Sequence, residues 1–175
     1  MTIRERRAIR FSLYLILSLS LCVVPAGCRK RPQNTRLIGE LESYQSIDQV
    51  RSRLLTTPKD WKIIQDSRPD PAKEDPRVGV ITISLQNYKH LGVPGELILH
   101  FFNNRLVSTV FFPTDFPAYK AGLEERERIK FDQVEIFRRP RTRIWIGKDS
   151  RKRDCIGWED TALRNEIDQW LAQNK

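Results

Sequence analysis

The residues best placed to do chemistry in this chain are basic. Arg138, Arg139, Arg141 and Arg143 crowd around Pro140, and Arg151, Lys152 and Arg153 follow a few positions later. Two adjacent turns of this kind would carry much of the positive charge and could dock anionic lipid or cell-wall polymer. The plainer expectation is that the charges guard exposed strand edges against pairing. Trp145 shares the alternating face of Arg141 and Arg143 in an extended chain, and arginine beside an aromatic ring also suits nucleic acid. Other chemistry is thin. The chain has no Gly-rich phosphate loop, no G-x-S-x-G elbow, no H-E-x-x-H and no C-x-x-C. Asp66, Asp70, Glu74 and Asp75 form an acidic loop, but prolines interrupt it and its spacing matches no EF-hand. His90 and His100 are the only histidines, fewer than most His-based metal sites use. His100 lies in an apolar run and reads as a satisfied structural residue. No catalytic residue, metal or cofactor is expected.

Cys28 carries a different chemistry because of what precedes it. Arg4, Arg6, Arg7 and Arg10 lead into an apolar stretch over residues 11–24, which closes on Pro25-Ala26-Gly27-Cys28. A basic start, a short apolar run and small residues before a cleavage point make a secretory signal peptide. The ending also resembles the lipobox of bacterial lipoproteins, with Pro25 where that pattern prefers Leu. The resemblance implies that the Cys28 thiol is diacylated and that residues 1–27 are cut away. Two other fates stay open. An uncleaved anchor needs about 20 apolar residues, whereas this run is shorter and contains Ser12, Ser18 and Ser20. Ordinary cleavage after Ala26 would leave a soluble exported protein. Arg6-Arg7 does not extend to a twin-arginine signal, because Arg10 stands where that motif wants an apolar residue. An exported protein rarely meets nucleic acid, which is therefore not expected as a partner. Arg29 rather than aspartate after Cys28 leans towards the outer membrane, with the domain facing the periplasm.

The chain has 175 residues with 31 basic and 22 acidic side chains. After the leader that length suits one hydrophobic core. Cys22 leaves with the leader and Cys28 would carry lipid, so Cys155 has no intramolecular partner and is expected to pack as a small hydrophobe.

The elements that must position these groups can be read from local chemistry. Residues 28–36 form the lipidated cysteine and a basic tether containing Pro32, and residues 37–175 form the domain. Ser46 with Gln49 is a capping box, followed at helical spacing by Ile47, Val50 and Leu54. Thr57-Pro58 ends that helix. Residues 61–65 read as a strand, 66–77 as a proline-rich loop, and 78–85 as a β-branched strand. A turn over residues 92–95 leads to a strand at 97–102. Asn103-Asn104 then marks a tight hairpin to a strand at 106–112. Asp115 caps a helix with Pro117 in its first turn, running towards Ile129. Residues 133–138 and 142–146 look like strands, with a short one at 154–157. Asp160 caps a closing helix in which Leu163, Ile167, Trp170 and Leu171 share one face. The expected class is α+β: a single domain with an antiparallel meander sheet packed by a short N-terminal helix, a middle helix and a C-terminal helix.

By the second hairpin the order of features resembles the SmpA/OmlA-like lipoproteins, which include the small lipoprotein subunit of the outer-membrane β-barrel assembly machine. The residues that carry the likeness are Cys28, the capped helix Ser46-Ile47-Asp48-Gln49-Val50 with Leu54-Leu55-Thr56-Thr57-Pro58 at its end, Trp61, and the hairpin from Leu97 through Asn103-Asn104 to Val107. Tyr44-Gln45 stands where that family usually has Gly-Met, and Thr56 where it has Gly. The likeness covers residues 37–113 and leaves 114–175 as an extension. It implies a small non-enzymatic interaction module. The sequence thus points to a lipid-anchored envelope protein that binds another envelope protein or scaffolds an assembly. The alternative is a module that docks anionic lipid or cell-wall polymer through the basic turns.

Cys28→Ser should leave an unprocessed precursor without labelled acyl chains, read by metabolic labelling and gel mobility. A wild-type protein that is freely soluble with an unmodified N-terminus would refute the anchor.

Overall fold

β-Branched and aromatic runs, separated by residues that tolerate left-handed backbone, fold into one antiparallel sheet of seven strands. The computed structural model describes residues 33–55, 60–67, 79–131, 136–138 and 140–173, the side chains of 136–138 excepted. The leader, Cys28 and most of the tether, Thr57-Pro58, and Asp70, Glu74 and Asp75 lie outside the described residues. The strands are β1 Trp61–Asp66, β2 Val80–His90, β3 Val93–Phe102, β4 Arg105–Pro113, β5 Ile136–Arg138, β6 Thr142–Lys148 and β7 Asp154–Asp160. Their order is β1-β2-β3-β4-β7-β6-β5. Among the described residues, three helices complete the α+β domain: α1 Ile47–Leu54, α2 Phe116–Glu127 and α3 Thr161–Gln173. Because β7 pairs with β4, residues beyond 113 finish the same sheet and are not an appendage. The compact unit begins at Asn34, within the stretch expected to be tether. Among the described residues no helix is long and apolar enough to cross a membrane.

The Asn103-Asn104 turn forms as expected, with φ of 49° and 57° and Phe102 paired to Arg105. Both side chains also work at a distance. Asn103 Oδ1 accepts from Gly79 N at 2.9 Å, and Asn104 Oδ1 accepts from Ile47 N at 3.0 Å, tying the hairpin to the start of α1. The preceding turn differs from expectation. It is Leu91-Gly92, with φ of 52° and 78°, while Gly95 lies inside β3, where a Cβ would stand 2.3 Å from the Phe112 carbonyl oxygen. Strand β2 also continues five residues past Leu85. A register shift between Leu85 and Tyr88, with Asn87 at φ 59°, absorbs the polar interruption as a bulge rather than an end.

Alternation along the strands gives the sheet two unlike faces. Ile81, Ile83 and Leu85 of β2, Leu97 and Leu99 of β3, Phe111 of β4, Ile144 of β6 and Ile156 and Trp158 of β7 point to one side. They form the main core with Leu37, Ile38 and Leu41 of the N-terminal segment, Val50 of α1, and Tyr119 and Leu123 of α2. The Ser46–Gln49 capping box starts α1, and Asp115 starts α2 by accepting from Ala118 N at 3.0 Å. His90 Nδ1 lies 2.6 Å from Tyr119 Oη, joining β2 to α2. Burial lowers the pKa of His90 to about 4, with Arg126 and Arg36 adding to the effect.

Among the described residues, α3 covers one end of the opposite face. Leu163, Ile167 and Trp170 of α3 pack there with Phe102, Val107, Val80 and Tyr44. Leu171, expected on the same stripe, is 46% exposed. It stands one helical step, about 100°, beyond Trp170 and turns away from the sheet. Arg105 reinforces the docking by a two-pronged bond to Glu166, at 3.1 and 2.7 Å.

Asp160, fully buried, fastens these parts together. Its Oδ1 accepts from Ala162 N at 2.9 Å and Leu163 N at 3.1 Å, capping α3. Its Oδ2 accepts from Ser43 Oγ at 2.6 Å and pairs with Arg141 Nη2 at 3.4 Å. Ser43 Oγ in turn accepts from Thr35 N, and the Thr35 hydroxyl meets that of Thr142. Removing one partner of such a group leaves the others unpaired, which costs more than the bonds themselves contribute. Asp160→Ala is therefore expected to lower unfolding stability by about 3 kcal/mol, measured by urea titration. A loss no larger than an ordinary surface cap, about 1 kcal/mol, would show that the network does not hold the fold.

Candidate functional site

Among the described residues the basic side chains do not form one patch. Arg139 and the Arg138 side chain lie outside the described residues. The remaining groups sit at the two ends of β6, whose seven residues span about 20 Å at roughly 3.3 Å each. Three of them are engaged by carboxylates. Arg141 pairs with the buried Asp160, and Arg143 Nε lies 3.4 Å from Glu159 Oε2. Arg153 reaches Glu96 at 2.7 Å and Asp149 at 2.8 Å, with its guanidinium 4.2 Å from the centre of the Phe112 ring. Arg151 and Lys152 are exposed at the tip of the β6–β7 turn.

A cleft of about 690 Å³ lies beside that turn, on the sheet face that α3 leaves uncovered. Register builds its floor. Lys62 stands opposite Ser84, Ser84 opposite Ile98, Ile98 opposite Val110, Val110 opposite Gly157 and Gly157 opposite Trp145. This row crosses six strands at right angles to the chain. Glu96, Phe112 and Cys155 line the flank next to the turn. His100 lines the flank nearer α3, its Nδ1 3.2 Å from Thr82 Oγ1 across the β2–β3 pair. Burial lowers the pKa of His100, and the charge of Arg164 adds to this.

The polar groups of the cleft form a chain. Gln86 Nε2 donates to Ser84 Oγ at 2.9 Å, Ser84 Oγ donates to Glu96 Oε1 at 2.6 Å, and Arg153 donates to Glu96 Oε2. Burial alone would raise the Glu96 pKa, but the hydrogen bonds from Ser84 and Arg153, with the Arg153 charge, outweigh it and hold the carboxyl below its usual range. Cys155 is buried and its thiol donates to the Gly147 carbonyl at 3.5 Å. Burial pushes that thiol up to about 11, helped by Asp149 and Asp154, so it packs as the small hydrophobe expected of it. Glu96 is thus held ionised and Cys155 protonated, the reverse of what a general acid and a thiolate nucleophile need. Among the described residues no group of three His, Cys, Asp or Glu side chains could hold a metal ion.

Sequence reasoning singled out the basic residues and missed the cleft. Its lining comes from six strands, and only the alternation of polar and apolar residues in β2 to β4 hints at a wet face. A scan of protein-family models finds no match to the chain, and a search of curated proteins finds none.

Because the Glu96 pKa is depressed in the folded state, its network adds stability above the unfolded carboxylate value and loses it as pH falls through the folded one. Glu96→Gln should melt lower than wild type at neutral pH, and the gap should close on acidification. A gap that stays constant with pH would show that the carboxylate charge contributes nothing.

Proposed function

We propose that this is a lipid-anchored protein of the cell envelope, tethered through Cys28 at the outer membrane and facing the periplasm, whose domain binds another envelope protein without catalysing a reaction. The anchor rests on the leader and on Pro25-Ala26-Gly27-Cys28. Six positions separate Cys28 from Asn34, where the folded unit starts, a length that reaches about 20 Å at full extension. Kinship with the SmpA/OmlA-like lipoproteins is part of the proposal and is supported by the capped helix α1 and the Asn103-Asn104 hairpin.

The observation that carries the partner reading is the state of β1. It is the terminal strand of the sheet, and its Ile63 and Ile64 are 56% and 55% exposed. Leu55, just after α1, is 92% exposed. Arg51 of α1 lies 5.0 Å from the Trp61 ring, which sets α1 beside the start of the strand. An apolar edge strand is a template for an added strand from a partner, whose main chain supplies hydrogen bonds while its side chains meet the flanking residues. The alternative, docking to anionic lipid or cell-wall polymer, draws support from the exposed Arg151 and Lys152. It is weakened by the carboxylates already bound to Arg141, Arg143 and Arg153.

Crosslinking the membrane-bound protein and identifying captured proteins by mass spectrometry tests both readings. An envelope protein should be retained in wild type at about 1 M salt, where the Debye length is near 3 Å, and lost in Ile63→Asp/Ile64→Asp. Capture that disappears with salt and with Arg151→Ala/Lys152→Ala, but survives the isoleucine changes, would favour the charged surface.

A further inference from the structure

Trp145 occupies a seat cleared for it by two glycines. A Cβ at Gly157 would stand 2.2 Å from Cε2 and 2.4 Å from Cζ2 and Nε1 of the indole, and a Cβ at Gly147 would stand 3.0 Å from Cζ3. The ring therefore lies across one glycine and alongside the other, along the sheet instead of upright from it. Glycine inside a strand weakens it and marks a place where something approaches the backbone closely. In β6 and β7 that something is the indole. One ring face meets the backbone. The other belongs to the cleft lining, on the part of the sheet that α3 does not reach.

The cleft lining carries Lys62, Lys148, Arg151 and Arg153 against the carboxylates Glu96 and Asp149, beside apolar Ile98, Val110 and Phe112. Arg153 is bound to Glu96 and Asp149, and Lys148 to Asp154 at 2.6 Å. Ser84 and Gln86 offer a hydroxyl and an amide, each both donor and acceptor. An apolar side chain in the cleft would desolvate these groups without pairing them. A polyanion would meet Glu96 and Asp149. The floor is also long. From Lys62 on β1 to Trp145 on β6 it crosses five inter-strand spacings, about 24 Å at roughly 4.8 Å each.

We propose that this cleft binds a saccharide chain, with Trp145 as the platform on which a sugar ring stacks. A pyranose presents a face of C–H groups that suits the electron-rich face of an indole. Its rim of hydroxyls, each able to donate and accept, suits the alternating donors and acceptors of the Gln86, Ser84, Glu96 and Arg153 chain. The cleft reaches β1, where Lys62, Ile63 and Ile64 line it, but Trp145 stands at the other end of the floor, five strand spacings from that edge.

The test titrates the full-length protein in detergent with two soluble probes, cello-oligosaccharides and oligomers of N-acetylglucosamine, followed by calorimetry and tryptophan fluorescence. At least one should bind with a fluorescence change that disappears in Trp145→Phe. Trp145→Ala should weaken binding by about tenfold or more. Gln86→Ala changes an exposed cleft residue and should weaken binding while leaving the melting temperature unchanged, which separates loss of the site from loss of the fold. The proposal is overturned if neither saccharide binds, or if both variants bind as wild type does. It is equally overturned if an extended peptide, and no saccharide, perturbs Trp145.

Discussion

A single buried carboxylate holds the parts of this domain in relation to one another. Asp160 ends β7, caps α3, receives the Ser43 hydroxyl of the N-terminal segment and pairs with Arg141 before β6. A charge without access to water is tolerated only when its lone pairs are met by donors. Those donors come from three separate parts of the chain, so the requirement fixes all three at once. The direction in which α3 leaves the sheet follows from that cap. Its axis decides which end of the second sheet face is covered by Leu163, Ile167 and Trp170 and which end stays open as the cleft.

The positive charge of the chain has to be understood against its carboxylates. A net charge of +9 suggests a free cationic surface, yet Arg141, Arg143 and Arg153 each lie within about 3.5 Å of a carboxylate oxygen. Arg153 is a brace in which two acids and the Phe112 ring hold the β6–β7 turn against the sheet. The partly exposed pairs of Arg143 and Arg153 contribute little stability individually, but they determine where a guanidinium can and cannot reach.

What was legible in the sequence is what local chemistry completes by itself. Ser46 with Gln49, Asp115 with Pro117, Asp160 and Asn103-Asn104 satisfy or bend backbone within a few residues, and each sits where its pattern indicated. The bulge at Gln86-Asn87 was not legible, because a polar break looks the same whether the strand ends or shifts register until its partner is known. The pairing of β4 with β7 brings Val110 to Gly157, and no local signal announces a partner so distant in the chain. The seat of Trp145 is a similar case. Its glycines, Gly147 and Gly157, read locally as strand weaknesses, and only the cross-strand register gives them a purpose.

The strand order also governs when the sheet can become whole. Strands β1 to β4 form a consecutive meander, whereas β7, the neighbour that closes the edge of β4, is among the last strands in sequence. Pairings between distant residues form slowly, because the chain entropy of bringing them together is lost before the contacts form. A polypeptide delivered from its N-terminus would therefore keep an unsealed edge until residues 154–160 arrived. Until then the main-chain groups along that side of β4 have no strand to pair with, and the sheet reaches its final form only when nearly all of the chain is present.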